Sequence, residues 1–219
     1  MNRLLEGLTI VDLSHRLPGP LAGHLLSLMG AKVIKIEDST FGDPFKQGLF
    51  GDMDSSFEYW YRSLNQHKTI KTLNFNSTSG KEEIHKLIKS ADAVLMGIPE
   101  KVRLKLGLTE DVIQSNRPKA IIEMKASRND EGALHDLNAL AKTGLLGMHI
   151  EDHQEDILYP PFLPVSGIIF GHRIAMTTLG ALLKLGRTNT GLTETCYLLE
   201  STEESLTPFY NDELRKTGE

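Results

Sequence analysis

The chain has 219 residues, 40% of them hydrophobic, and a formal net charge of −5 from 24 basic and 29 acidic side chains. That is enough apolar material for one well-buried domain, and a mildly acidic balance excludes a general electrostatic pull toward nucleic acid or an anionic membrane; an anionic ligand must be held by local positive groups. Cys196 is the single cysteine, which excludes an internal disulfide framework and a cysteine-based metal cluster and points to a reduced, cytoplasmic setting.

The N-terminal MNRLLEGLTIVDLS is interrupted by charged and polar residues and does not read as a signal peptide. No apolar run approaches the roughly 20 residues of a bilayer span, so no membrane partner is expected. Residues 8–13 (LTIVDL) predict a strand, broken by Pro18, Gly19 and Pro20. Leu21, Leu25, Leu28 and Met29 share one helical face, which predicts a helix from about residue 21, ended by Gly30. Residues 32–37 (KVIKIE) predict the second strand. Residues 39–63 show no period, are punctuated by Gly42, Pro44, Gly48 and Gly51, and end in a cluster of Phe57, Tyr59, Trp60 and Tyr61; they read as a long irregular surface excursion.

Residues 69–75 alternate as a strand. Ser79, with Glu82 three residues on, predicts a capped helix whose apolar face is Ile84, Leu87, Ile88 and Ala91. Short strands follow at 93–96 and 120–124, with a short helix from Thr109 through Gln114 between them. Residues 135–147 and 167–185 predict helices, the second apolar nearly all round; residues 192–199 predict a last strand before a polar, loose tail from Glu200. Strands alternating with helices predict an α/β fold with a mainly parallel sheet and helices on both faces, occupying residues 1–199.

The most informative stretch is residues 5–43, a strand–loop–helix–strand unit. Such a unit sets a loop and a helix N-terminus at the carboxyl edge of a parallel sheet, where phosphate-bearing ligands bind. In the loop Arg16–Leu17–Pro18–Gly19–Pro20, Gly19 allows close backbone approach and the helix start offers free amides. An ordinary strand-to-helix turn is the simpler reading of the same residues.

Several blocks then match a known family in order: LEGLTIVDLSHRLPGPLAGHLLSLMGAKVIKIE followed by GDPF, LNQHKTIKTLNFNSTSGKEEIHKLIKSADAVL, LGLTEDVIQSNRPKAII, HDLNALAKTGLLG and ALLKLGRTNTG. Over about residues 4–195 the chain resembles the class III CoA-transferases (CaiB/BaiF type), which include carnitine CoA-transferases, formyl-CoA transferase and α-methylacyl-CoA racemase. The resemblance implies a Rossmann-like large domain, a CoA thioester as substrate, and two interlocked chains, hence a homodimer or a partner subunit. It also implies that an aspartate near the start of the HDLN-like helix carries the chemistry, as an acyl acceptor in the transferases and beside a histidine in the racemases. The matching positions are Asp136 and His135. For CoA contact the resemblance implies Arg16, Leu17, Gly19, Lys68, Gly97, Ile98 and Lys105, with His15 bordering the ligand.

Departures accompany the match. On this resemblance the 219 residues are expected not to include the family's usual second, small domain; the glycine-rich stretch before HDLN is reduced to ASRNDEGAL, and the family's Val–Ala–Asp before the long helix reads Val165–Ser166–Gly167. Asp136 therefore reads either as the acyl-accepting carboxylate or as a cap for the helix that follows it. His149 and His153 have a metal-ligand spacing, but MHIEDHQED reads as an exposed loop and no metal is expected. The expected function is CoA transfer between carboxylic acids through an aspartyl intermediate; racemase-like epimerisation and non-catalytic CoA binding are the alternatives.

Overall fold

Period-two alternation of apolar side chains organises the molecule, because successive strand residues point to opposite faces of a sheet. The computed structural model describes residues 3–46, 56–129, 134–150, 161 and 163–209. Strands β1 (Thr9–Leu13), β2 (Lys32–Asp38), β3 (Thr69–Leu73), β4 (Ala93–Met96), β5 (Ala120–Lys125) and β6 (Leu192–Tyr197) form one sheet in the order β3-β2-β1-β4-β5-β6. Every neighbouring pair is parallel. Ile10, Val33, Leu95 and Ile122 face one side, and Val11, Ile34, Val94 and Ile121 the other. Both faces are covered, as an all-parallel sheet requires.

The first face packs against α1 (Pro18–Leu28), α6 (Asp136–Lys142), α8 (Val165–Thr188) and α9 (Leu198–Leu206). The second packs against α3 (Thr78–Ser90) and α5 (Glu110–Gln114), with the end of α4 (Glu100–Lys105) followed by buried Leu106 and Leu108. Helix α2 (Ser56–Asn65) precedes β3, and α7 (Leu145–Ile150) follows α6. Among the described residues α8 is the one helix long and apolar enough, by length and composition, to cross a bilayer. Here it lies along α1, with Phe170, Ile174, Ala175 and Ala181 buried and Met176 and Leu183 facing outward.

The α/β class and the parallel sheet are as expected; several boundaries are not. Helix α1 begins at Pro18, three residues before the expected start. A proline in the first turn lacks an N–H that would have no helical partner there anyway, so the Pro–Gly–Pro run opens the helix, and the strand has already ended at Leu13. The aromatic cluster expected in an irregular excursion lies on α2, where Tyr61 is buried; residues 47–55 of that excursion lie outside the described residues. The helix expected over 135–147 breaks at Gly144, which adopts φ +80°. The start of the loose tail expected from Glu200 is instead the body of α9, which buries Leu198, Ser201 and Thr202, and residues 210–219 of that tail lie outside the described residues. Glu200 accepts hydrogen bonds from Arg128 N (2.7 Å) and Ser127 Oγ (3.1 Å), tying α9 to the chain leaving β5.

The cap of α3 is Ser77, not Ser79: its Oγ accepts from Gly80 N at 3.0 Å. Ser77→Ala is expected to cost about 1 kcal/mol of stability in urea unfolding, whereas Ser79→Ala, which removes no cap, stays within about 0.5 kcal/mol.

Candidate functional site

The strand order reverses between β1 and β4, the point in a doubly wound sheet where the loops after neighbouring strands diverge and leave a crevice. Ser14 follows β1, Gly97 follows β4 and Met124 lies near the end of β5; Ser14 and Met124 meet the first turn of α1 at Gly19, and both also meet Gly97. A Cβ on Gly97 would stand 2.8 Å from Ser14 Cβ and 3.0 Å from Met124 Sδ, and one on Gly19 would overlap Ser14 itself. The glycines thus let two loops and a helix start close around one serine. Arg16 sits in the left-handed region at φ +65°, so the loop makes its turn at a non-glycine residue.

Buried charge underlies this loop. Asp12 and Lys35 are register partners on β1 and β2, on the same face as Ile10 and Val33. Asp12 accepts from Ser14 N (3.1 Å), from Ser14 Oγ and from Lys68 Nζ (3.0 Å), and Lys68 also donates to Pro20 O at 2.8 Å. Lys35 Nζ donates to Ser14 O (2.5 Å) and pairs with Asp43 at 3.1 Å. Asp43 in turn accepts from Arg16 N (3.1 Å) and Phe45 N (3.1 Å). The side chains of both ion pairs are fully buried. Burial alone would raise the Asp12 pKa, but Lys68, Lys35 and the Ser14 hydroxyl together hold it below the usual carboxylate value. Burial lowers that of His15, with Arg16 and Lys35 acting the same way and Asp43 and Asp12 opposing. Tyr61 donates to Glu37 at 2.8 Å, and burial followed by that bond pushes its phenol well upward.

Asp136 lies at the start of α6 and reaches across to α8, where its Oδ1 accepts from Gly167 N at 2.8 Å. It caps α8 rather than its own helix, whose N-cap position is His135; the His135 amide is held by Asn138 Oδ1 at 3.0 Å. Burial raises the Asp136 pKa, and the amides of Gly167 and Ser166 pull it part of the way back. A Cβ on Gly167 would stand 2.9 Å from Leu17 Cδ2 and 3.7 Å from Asp136 Oδ1. The bare backbone at Gly167 therefore joins the first loop to the Asp136 carboxylate.

The expected site residues divide into two groups. Arg16, Leu17, Gly19 and Gly97 come together at the crevice, and Leu17 shares Gly167 with Asp136. Ile98 turns into the second apolar cluster. Lys105 is on the surface, its ammonium bonded to Asn76 after β3. Lys68 departs most from expectation: its ammonium is spent inside the protein on Asp12 and Pro20 rather than offered at the surface. Asp12, Ser14, Lys35 and Asp43 were not singled out in the sequence, although Asp12 inside LTIVDL and Lys35 inside KVIKIE, each two positions after the core residues Ile10 and Val33, were an available signal for the first and third of them. Among the described residues no three His, Cys, Asp or Glu side chains converge as a metal site; His153 and the His149 side chain lie outside them.

The model of CoA-transferase family III matches residues 5–219, nearly the whole chain. The chain belongs to that family. Formyl-CoA:oxalate CoA-transferases from Rhodopseudomonas palustris and a Bradyrhizobium species are each 33% identical over 122 residues, 56% of this chain and 28% of theirs. A CAIB/BAIF family protein from Brucella suis superposes with TM-score 0.82 at 23% identity, covering 95% of this chain and 56% of that one. A hypothetical protein from Mycobacterium tuberculosis gives 0.77 at 22%, with 94% and 57% covered. These two likenesses show the class III fold. The chain spans just over half the length of these solved relatives, and the matched stretch about a quarter of the curated transferases.

Proposed function

We propose that this class III chain binds a CoA thioester in the crevice between β1 and β4 and passes the CoA between carboxylic acids, with Asp136 as the acyl-accepting carboxylate. The observation that carries this reading is the contact of Leu17 and Asp136 with the same residue, Gly167, which sets a carboxylate beside the loop that opens α1. Pro18 and Pro20 have no N–H and Leu21 N is bonded to Leu17 O, so Gly19 is the first-turn residue of α1 whose amide can be aimed at an anionic ligand. In the forward step an Asp136 oxygen attacks the thioester carbonyl, the C–S bond breaks, and CoA departs as thiolate, leaving a mixed anhydride. The thiolate then attacks the Asp136 carbonyl, the C–O bond of the anhydride breaks, and the first acid leaves as its carboxylate while an aspartyl–CoA thioester forms. An acceptor carboxylate reverses the sequence, so that no proton or electron is left over. Burial that raises the Asp136 pKa also desolvates the nucleophile.

A second reading, CoA binding without turnover, has its own support. One Asp136 oxygen is already bound to the start of α8, and glycine stands where relatives have the aspartate of Val–Ala–Asp. Two measurements separate the readings. Calorimetry with CoA and acetyl-CoA reports binding, and incubation of acyl-CoA with hydroxylamine traps an activated carboxylate as a hydroxamate that mass spectrometry locates. Heat of binding with a hydroxamate at Asp136, lost in Asp136→Asn, supports transfer. Heat without any adduct supports the binding role, and no heat at millimolar CoA removes both.

A further inference from the structure

Two fully buried ion pairs beneath one loop are more than the loop's packing requires. A buried pair is weak evidence of stabilisation, because desolvation offsets most of its attraction, so the question is what the charges hold in place. Lys35 and Asp43 lie 3.1 Å apart, one on β2 and the other on the chain that leaves it, and both reach back to the segment after β1. Lys35 fixes Ser14 through its carbonyl, and Asp43 fixes Arg16 through its amide, with both carboxylate oxygens within 3.2 Å of that nitrogen. Between those anchors the backbone passes through the left-handed conformation at Arg16, which an arginine adopts only when its surroundings impose it. Leu17, the next residue, is the N-cap of α1 and touches the Gly167 position beside Asp136.

We propose that Lys35 and Asp43 are positioning residues: they impose the left-handed turn at Arg16 and so preset the loop over residues 14–17, and the Gly19 amide that follows it, for the phosphate-bearing ligand. This rests on the crevice being the CoA site. Among the described residues the hydrogen bonds from the pair to the loop go to its backbone and both side chains are fully buried, so the pair acts through the loop's shape. Charges suit this task, since an ammonium and a carboxylate hold a carbonyl and an amide more firmly than neutral groups do.

The test compares the parent chain with Asp43→Asn and with the double variant Lys35→Met/Asp43→Leu, which replaces the pair by apolar side chains and guards against a single variant that does not fold. Two quantities are read: amide hydrogen exchange at Arg16 and Leu17 without ligand, and CoA affinity by calorimetry. The expected result is at least tenfold faster exchange at Arg16 with Ile10 and Val11 in β1 unchanged, and at least tenfold weaker CoA binding, while the double variant keeps the parent melting temperature. A purely structural pair would lower the melting temperature and speed exchange in β1 as well. Unchanged exchange at Arg16 overturns the inference, and so does faster exchange with undiminished CoA affinity. If the parent binds no CoA, the site reading fails and takes the ligand half of the inference with it; the exchange arm still decides whether the pair sets the loop.

Discussion

Lys68→Met will destabilise the chain by about 3–5 kcal/mol in urea unfolding at neutral pH. The Lys68 ammonium is the one partner of Asp12 Oδ2 among the described residues, and it also holds Pro20 O in the first turn of α1. Removing it leaves a carboxylate buried in the sheet face with only Ser14 and the neighbouring Lys35 to offset its charge. The pair lies where α1 has no side chain, because a Cβ on Gly23 would stand 2.9 Å from Lys68 Nζ. The loss therefore cannot be relieved by letting water in without lifting the helix. The double variant Asp12→Leu/Lys68→Met removes both charges together and should recover most of the loss. A double-mutant cycle that shows no recovery would mean that Lys68 stabilises chiefly through Pro20. The pH dependence gives a second reading. Asp12 has a folded pKa below its unfolded value, so its contribution is present above the unfolded pKa and is lost as pH falls through the folded one. In Lys68→Met the opposition to burial is weakened, the Asp12 pKa rises, and the variant gains stability on acidification. The gap between parent and variant should therefore narrow from pH 7 to pH 3.

How much of this was legible in the sequence follows from what each signal measures. Apolar periodicity reports burial, and strands buried on both faces read as dense apolar runs; LTIVDL, AVLM and AIIEM were therefore read as strands and became β1, β4 and β5. The βαβ unit with its ligand-facing loop was legible for the same reason. Periodicity does not report pairing between distant residues. Asp12 and Lys68 are 56 positions apart, and nothing local to the LNQHK turn says that its lysine points inward. The same holds for Asp136, whose partner amide is 31 residues away on a different helix. The Pro–Gly–Pro run was read as a breaker because proline both ends strands and opens helices, and only the backbone that follows distinguishes the two. Leu192–Tyr197 was extended two residues too far for a related reason: Leu198 and Leu199 continue the apolar run, while the Leu199 amide turns back to Ala126 O and the chain enters α9.

Gly19→Ala should destabilise the chain by about 2–3 kcal/mol, and the sign is what makes this informative. Gly19 is the second residue of α1, and helix propensity alone favours alanine over glycine by up to about 1 kcal/mol. Packing predicts the opposite, since the new methyl would overlap Ser14 Oγ and Cβ and press on Met124 Sδ at 3.1 Å. Ser14 cannot move aside freely, because its amide and hydroxyl are bonded to Asp12 and its carbonyl to Lys35. Overlap at a fixed obstacle outweighs a small backbone preference. Gly180 in α8 is the control: it is exposed and helical, with nothing within 4 Å of the added carbon, so Gly180→Ala should stabilise by up to about 1 kcal/mol. Ser14→Gly removes the obstacle, and in the cycle with Gly19→Ala the two changes should couple by at least about 1 kcal/mol. Gly97→Ala meets the same serine from β4 and should couple to it in the same direction. If Gly19→Ala stabilises as Gly180→Ala does, the closeness of the loops around Ser14 is not a constraint on the folded chain, and the crevice is wider than the contacts at Gly19 and Gly97 require.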